Sequence, residues 1–327
     1  LTDHRMRDAK TGQWYLPVQD GGNPHRMLAN NSVCYTEQPD AKTFLEEWLS
    51  LVKSGSGERG IFNRIAAQNQ ASRWGRRSAD LDYGCNPCSE IILRDKQFCN
   101  LTEVVVRQSD TYNELKKKIE LATILGTYQS TLTDFRFLSE EWKKNTDEER
   151  LLGVSLTGIM DSPLLNGAKD AMLQHRELVR GLPTVLQELR DHARKVNVKW
   201  AARFNVPVST AITCVKPSGT VSQLCNSASG IHARFAPYYI RRIQLDKKDP
   251  VCQFLLDKGF PLVDYEAKKD TTMVASFPMK APDGAMCRGS QTAIEQMELW
   301  LMYQDDWCEH KPSCTVYVKE DEWIGVG

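Results

Sequence analysis

Cys85-Asn86-Pro87-Cys88-Ser89-Glu90 runs into Ile91-Ile92-Leu93-Arg94 and then Phe98-Cys99-Asn100-Leu101, and the reading of this stretch decides how the rest of the chain folds. Two thiols, a carboxylate and an amide lie within a few residues, just ahead of an apolar run with the character of a strand. Asn86-Pro87 disfavours helix, which predicts Cys88 at a loop tip and Ile91 to Leu93 carrying the chain into a buried strand. Loops mounted on rigid elements are where reactive groups are usually presented. With residues 88 to 90 extended, side chains alternate, so Cys88 and Glu90 point the same way. A thiol and a general base would then address one substrate together. Cys99 lies far enough downstream to bring a second thiol to the same pocket.

Cys85 and Cys88 also form a Cys-x-x-Cys pair, which is half of a zinc site or a redox pair. A closed zinc site needs two more ligands at matching spacing, and no second Cys-x-x-Cys occurs in the chain. Zinc therefore keeps a small share, and Cys85 reads as a buried inert thiol. Cys308, His310 and Cys314 are the other set that resembles metal ligands, and no metal is expected there.

The length of 327 residues allows one large domain or two smaller ones. Lys plus Arg and Asp plus Glu both number 42, so the formal charge is zero and gives no electrostatic case for nucleic acid or a membrane surface. No apolar run is long enough to span a bilayer, and Leu1-Thr2-Asp3-His4-Arg5 lacks a signal-peptide core and a starting Met. Ten scattered cysteines fit reduced thiols and a cytoplasmic location better than a secreted disulfide scaffold.

Along the chain, Lys10-Thr11-Gly12, Gly21-Gly22-Asn23-Pro24 and Gln38-Pro39-Asp40 read as turns. Asp40 caps a helix through Phe44, Leu45, Trp48, Leu49 and Val52, which Ser54-Gly55-Ser56-Gly57 ends. Arg76 and Arg77 lead towards the Cys88 loop, where they either steer an anion or lie in solvent. Tyr112 to Leu132 offers a broad apolar helical face in Leu115, Ile119, Leu121, Ala122, Leu125 and Tyr128. A second helix passes through Trp142 to Arg150. Leu152 to Ile159 is short, apolar and bounded by glycine, as a buried parallel strand would be. Residues 170 to 203 read as a long helix broken near Gly181-Leu182-Pro183. Later, Ala275-Ser276-Phe277-Pro278 reads as a strand stop, Thr292 to Met302 as an amphipathic helix, and Cys308 to Val318 as the approach to a strand.

A second informative stretch is Cys214-Val215-Lys216-Pro217-Ser218-Gly219-Thr220-Val221-Ser222-Gln223-Leu224. Thr210 to Val215 reads as a strand that Pro217-Ser218-Gly219 breaks before a helix begins near Thr220. Small residues let backbone N–H groups approach an anion, the helix dipole favours negative charge, and the hydroxyls add donors. Ser218, Gly219, Thr220, Val221 and Ser222 thus form a candidate phosphate cradle, without Walker A spacing or a G-x-G-x-x-G. Ser-Gly-Thr is also an ordinary way to start a helix. His232 reads as structural because no carboxylate partner is visible, and Arg234 and Arg241 are weaker phosphate or cofactor candidates.

Asn86-Pro87-Cys88-Ser89-Glu90-Ile91-Ile92-Leu93-Arg94, with Gln97-Phe98-Cys99-Asn100-Leu101-Thr102-Glu103-Val104-Val105-Val106-Arg107 behind it, resembles the finger loop of ribonucleotide reductases. It is most similar to the adenosylcobalamin-dependent, class II, monomeric ribonucleoside-triphosphate reductase branch. Matching blocks continue through Leu152 to Ile159, the Pro217-Ser218-Gly219-Thr220 turn, Gly230 to Arg242, and Glu309-His310-Lys311-Pro312-Ser313. The resemblance implies an α/β fold that is part of a ten-stranded α/β barrel, with a central finger loop carrying the radical cysteine. It implies that Cys88 carries a thiyl radical that removes the 3′ hydrogen of a ribonucleotide. Glu90 would act as base at the 3′ hydroxyl, Asn86 would hydrogen-bond the ribose, and Cys99 would be one of the two reducing thiols. The 218–222 turn would hold the substrate phosphates. Adenosylcobalamin is the implied cofactor, although no Asp-x-His-x-x-Gly cobalamin motif is present. A thioredoxin-like reductant is the implied partner.

Two departures shape the expectation. The thiol that pairs with Cys99 in the family comes from an early strand, whereas Cys34, the sole cysteine before Cys85, sits in a different setting. The chain also stops at Gly327, where the family continues into a last strand and tail. The expectation is one partial catalytic domain over 1–327. Residues 1–84 would end the first barrel half, 85–100 form the finger loop and following strand, and 101–327 supply the second half. A complementary reductase polypeptide, a non-catalytic fragment role and a zinc module are the alternatives.

Overall fold

The structure is a computed structural model that describes residues 29–54, 59–168 and 181–327. The turns at 10–12 and 21–24, the Gly-Ser stop at 55–57 and the first part of the helix expected from 170 lie outside the described residues. A parallel pair comes first, β1 (Ser32–Tyr35) beside β2 (Gly60–Asn63), with α1 (Ala41–Ser54) between them in sequence. Asp40 starts α1 by accepting from the Thr43 backbone N–H at 3.0 Å. After α2 (Arg64–Ser72), the finger stretch forms an antiparallel hairpin of β3 (Gly84–Cys85) against β4 (Ile92–Leu93).

The central sheet follows. β5 (Asn100–Val105) leads through α3 (Tyr112–Gln129) and α4 (Glu140–Glu149) to β6 (Leu152–Thr157). From there α5 (Leu182–Phe204) leads to β7 (Thr213–Cys214), and the three strands are parallel in the order β5-β6-β7. Parallel neighbours need helical crossovers of this kind. Every residue of β6 is buried, as expected for a strand covered on both faces. On one face Val104, Leu152, Val154 and Leu156 join Leu115 and Ile119 of α3 and Leu186 and Leu189 of α5 in the main core.

The opposite face receives the finger. A Cβ at Gly153 would collide with the Leu101 side chain and lie 3.1 Å from Ile91 and 3.3 Å from the Cys214 sulfur. Glycine at that position lets the finger hairpin seat on the sheet. Period-two alternation and the pairing of Glu103 with Ser155 and of Ser155 with Cys214 then put these three side chains on that same inner face.

The remaining elements are α6 (Thr220–Leu224), β8 (Tyr238–Asp246), α7 (Pro250–Asp257), β9 (Leu262–Asp264), β10 (Thr272–Lys280), α8 (Ala293–Asp306) and α9 (Trp323–Val326). Strands β8, β10 and β9 form an antiparallel sheet with β10 in the middle. The described strands make four separate sheets, a mixed α/β arrangement in which barrel closure is not formed among the described residues. No helix among them is long and apolar enough to cross a membrane.

Several sequence expectations change. Leu121, Leu125 and Tyr128 of α3 are 53, 62 and 56% exposed, because the helix turns the stripe of Leu115, Ile119, Ala122 and Gly126 inward and leaves these three outside it. Pro278 does not stop β10, which continues to Lys280. Strand β9 reaches only residues 273–275 of β10, so the missing proline N–H leaves no ladder bond unmade on that side. The strand expected over 210–215 shrinks to Thr213–Cys214. The segment after Cys308 forms a single parallel bridge, Val215 to Pro312, rather than a strand. It does its structural work through side chains and backbone bonds to the finger.

Candidate active site

The finger tip is a closed turn. Asn86 Oδ1 accepts from the Ile91 N–H at 3.0 Å, and the Ser89 N–H donates to the Asn86 carbonyl at 2.9 Å. Ser89 has φ of 65°, in the left-handed region that serine occupies only when local bonds hold it there. Residues 88–90 are therefore not extended, and strand alternation does not align Cys88 with Glu90. Instead Cys88 is exposed at the tip while Glu90, 2% exposed, turns inward.

The segment 310–313 holds this turn from behind. Ser313 Oγ donates to the Cys88 carbonyl at 2.6 Å, and Lys311 Nζ donates to Ser89 Oγ at 3.0 Å. The Lys311 N–H donates to the Glu90 carbonyl at 3.2 Å. His310 is fully buried; its Nδ1 accepts from the Ile92 N–H at 3.3 Å, which leaves Nε2 to donate to the Leu152 carbonyl at 3.0 Å. Burial, with the Arg77 charge nearby, pushes the His310 pKa down to about 3, so the ring is neutral and acts as a strut.

Arg76 and Arg77 are struts too, not anion-steering or solvated groups. Arg77 reaches Glu149 at 3.1 and 2.9 Å and the Ile92 carbonyl at 3.0 Å, and its guanidinium lies 4.6 Å from the centre of the Tyr83 ring. Arg76 bonds the Ser209 carbonyl and pairs with Glu309. A basic pair before a reactive loop carries no sequence mark that separates bracing from ligand binding.

Glu90 is the electrostatic centre of the finger site. Its Oε2 is buried and finds no hydrogen-bond donor among the described residues. Burial first and the Glu90 carboxylate second push the Cys88 thiol up, against the pull of Lys216. The same two causes, in the same order, push Cys99 far up. Burial is also the main cause that raises Cys214, with Cys308, Cys99 and Glu90 adding to it. Cys88, Cys99 and Glu90 are thus brought to one place, and Cys214 joins them. Sequence reading missed Cys214 as a site residue, although it heads the 214–224 stretch. All three sulfurs are held as neutral thiols, suited to giving up hydrogen atoms rather than acting as thiolate nucleophiles. Cys34 packs beside Cys85 in a separate small core.

The 218–222 turn lies on the same inner face. The Lys216 N–H donates to Ser155 Oγ at 2.9 Å, and Lys216 Nζ pairs with Glu103 at 3.2 Å. Ser218, at φ of 51°, donates its hydroxyl to Glu103. Ser222 Oγ donates to the Ser218 carbonyl at 2.8 Å and meets Ser229 Oγ at 2.9 Å. The hydroxyls of Ser218 and Ser222 therefore tie the turn together. Gly219 and Thr220 are exposed, and the N–H groups of Gly219, Thr220 and Val221 find no acceptor among the described residues. Because α6 has only five residues, these free donors matter more here than a helix dipole.

Finger and turn are joined directly. The Val215 N–H donates to the Lys311 carbonyl at 3.4 Å, and the Ser313 N–H donates to the Val215 carbonyl at 2.8 Å. Ser313 then holds Cys88. Glu103, Lys216, Lys311 and Ser313 were not singled out as site residues, because each acts through a contact between segments distant in sequence. His232 is structural as expected, bonding the Ser229 carbonyl and the Thr315 N–H, both at 2.8 Å. Arg234 is buried in a two-bond ion pair with Asp161, which removes it as a phosphate ligand. Among the described residues no group of three His, Cys, Asp or Glu side chains is placed to hold a metal ion.

No protein-family model matches the chain. It is 27% identical to the adenosylcobalamin-dependent ribonucleoside-triphosphate reductase of Lactobacillus gasseri over 330 aligned residues, covering 91% of this chain and 42% of that protein. A probable adenosylcobalamin-dependent ribonucleoside-triphosphate reductase of Dictyostelium discoideum is 28% identical over 249 residues, or 72% of this chain and 30% of that one. The crystal structure of a B12-dependent (class II) ribonucleotide reductase superposes with a TM-score of 0.75 at 21% identity, covering 99% of this chain and 47% of the other. The chain spans less than half the length of these relatives. Over 91% of its residues the chain is similar in sequence to adenosylcobalamin-dependent ribonucleoside-triphosphate reductases, and over 99% of them it shares the fold of a class II ribonucleotide reductase.

Proposed function

We propose that this chain carries the thiyl-radical site of a ribonucleotide reductase and takes part in reducing ribonucleoside triphosphates to deoxyribonucleotides for DNA synthesis. The observation that carries the reading is the gathering of Cys88, Cys99 and an unbonded Glu90 carboxylate oxygen on a face shared with the open N–H groups of residues 219–221. The chain is one partial catalytic domain. Residues 1–84 belong to the first barrel half, 85–100 to the finger and its strand, and 101–327 to the second half. It works with the remaining segments of such an enzyme as a complementary polypeptide, with a thioredoxin-like reductant, in the cytoplasm.

The donor set fits adenosylcobalamin in one respect that the structure supports. Cys88 lies on the exposed tip, and partial desolvation on its inner side together with the Glu90 carboxylate favours the protonated thiol, which is what loss of a hydrogen atom requires. Pro87 and Cys88, the exposed tip residues, would stand against the cofactor. When bound, adenosylcobalamin supplies the homolytic cobalt–carbon chemistry that makes a thiol into a thiyl radical.

The chain's own residues then divide the work. Cys88, as a thiyl, takes the hydrogen atom from C3′ of the ribose. Glu90 takes the 3′-hydroxyl proton, and the Asn86 amide N–H₂, whose oxygen is committed to Ile91, donates to the ribose. The 2′-hydroxyl leaves as water with a proton from a neutral thiol. Cys99 and a second thiol together supply two electrons and two protons and end as a disulfide, and Cys88 returns the hydrogen atom to C3′. Gly219, Thr220 and Val221 receive the phosphates on their N–H groups, in a turn that Ser218 and Ser222 hold in shape.

The test supplies the chain with the missing reductase segments, adenosylcobalamin and a dithiol, and measures deoxynucleotide together with the electron paramagnetic resonance signal of a cobalt-coupled thiyl. Wild type should give both. Cys88→Ser should give neither, with its circular dichroism unchanged. Turnover by Cys88→Ser at the wild-type rate would overturn the assignment.

A further inference from the structure

A polar cleft of about 360 Å³ opens beside Ser218, lined also by Gln223, Ser229, Arg241, Arg288 and Tyr317. No aspartate or glutamate lines it. Of its three arginines, Arg234 is neutralised by Asp161 at 2.7 Å. Arg241 and Arg288 have no carboxylate partner among the described residues. Two uncompensated guanidinium groups in a cleft without acids favour an anion.

The two arginines are also aimed and held. Tyr239 and Arg241 alternate on β8, so both line the cleft, while the intervening Ile240 faces away and is 65% exposed. The Arg288 guanidinium lies 5.1 Å from the centre of the Phe235 ring and 3.9 Å from that of Tyr317, and it bonds the Tyr317 hydroxyl. Stacking of this kind fixes the planar fork before a ligand arrives, and the fork matches phosphate oxygens. The cleft and the open turn at 219–221 share Ser218 as a wall, so a polyphosphate chain resting on the turn can continue into the cleft.

We propose that Arg241 and Arg288 bind the outer phosphates of a ribonucleoside triphosphate and so set the preference for triphosphate over monophosphate. This rests on the reading of the 218–222 turn as the inner phosphate site. The shared chemistry is a phosphate oxyanion, which a nucleotide tail or the phosphodiester of a cobalamin can each supply.

Isothermal titration of the 327-residue chain with CTP, CMP, inorganic tripolyphosphate and hydroxocobalamin, at one ionic strength, tests the assignment. Wild type should bind CTP at least about tenfold more tightly than CMP, the scale of one charge-assisted contact. Arg241→Gln and Arg288→Gln should each lower CTP and tripolyphosphate affinity about tenfold and leave CMP unchanged. Arg288→Lys should keep part of the loss from appearing. The Arg241 side chain makes no hydrogen bond or ion pair among the described residues, and its backbone pairing with Phe277 survives substitution, so its variant stays informative if Arg288→Gln loosens the Phe235–Tyr317 stack. Equal binding of CTP and CMP by wild type overturns the inference, as does a CTP preference that survives both substitutions. A loss confined to hydroxocobalamin overturns it and assigns the arginines to the cofactor. The parent reading is judged separately by Ser218→Ala, which should weaken CTP and CMP alike. If Ser218→Ala changes neither, the inner phosphate site fails whatever the arginines do.

Discussion

The finger tip and the phosphate turn are built alike and finished differently. Each has a serine in the left-handed region, Ser89 at φ of 65° and Ser218 at 51°, and each has a lysine close by, Lys311 and Lys216. At the finger the backbone is held nearly throughout, with the Cys88 and Glu90 carbonyls and the Ile91 and Ile92 N–H groups all bonded. At the turn the side chains are bonded and three consecutive N–H groups are left open. A loop that must present one reactive atom is fixed through its backbone. A loop that must receive a ligand is fixed through its side chains, and its backbone donors stay free.

The sharpest way to break this contrast is to remove a strut that serves the finger and not the turn. Arg77 joins Glu149 to the Ile92 carbonyl with its side chain 1% exposed. Arg77→Ala leaves Glu149 buried without its ion partner, which costs about 3–5 kcal/mol. Urea denaturation should show that loss, and hydrogen exchange should rise at Ile91 and Ile92 before it rises at Gly219 and Thr220. Equal loosening of both loops would mean that they are one unit and not two.

The parts of this organisation that were readable beforehand are those set by local chemistry. Asn86-Pro87 puts Cys88 on a tip, the apolar run at 152–157 makes a buried strand, and Pro217-Ser218-Gly219 makes a turn. The parts that were not readable are long-range. Nothing near Glu90 in sequence shows that Lys311 reaches its carbonyl, and nothing near Ser218 shows that Glu103 will take its hydroxyl. Strand alternation, which would point Cys88 and Glu90 the same way, fails at Ser89, whose left-handed backbone lets one neighbour face out and the other in. The same limit applies to α3, where apolar residues on two stripes read as one broad face until the sheet selects Leu115, Ile119 and Ala122.

Acid separates the two loops more gently. His310 is held neutral, with its pKa pushed down to about 3 from an ordinary 6.5. Its folded pKa is depressed, so the unfolded chain takes up the proton first as pH falls below 6.5. Stability should then decline by about 1.4 kcal/mol per pH unit through the window down to about 3, reaching about 2 kcal/mol by pH 5. His310→Gln should remove most of that slope in urea midpoints measured between pH 7 and 4. A slope unchanged by the substitution would show that His310 is not the strut that links Ile92 to Leu152.

The smallest effect isolates the carboxylate from the fold. Glu90→Gln keeps the size of the side chain and removes its charge. The Cys88 thiol is raised first by burial and second by Glu90, so its titration should move down in the variant while staying above the ordinary thiol value, because the larger cause remains. Iodoacetamide alkylation of Cys88, followed from pH 7 to 10 in a variant whose other exposed thiols are accounted for by peptide mapping, reads this directly as a modest acceleration at a given pH. Cys99, which is raised much further by the same two causes and is only half-buried, should stay unreactive in both proteins. If Cys88 titrates identically with Gln at position 90, the carboxylate does not face the tip, and a base that cannot sense the thiol is poorly placed to share a ribose with it. A shift in the expected direction would place the carboxylate within electrostatic reach of the tip sulfur, the proximity that hydrogen removal at C3′ and proton removal at its hydroxyl jointly demand.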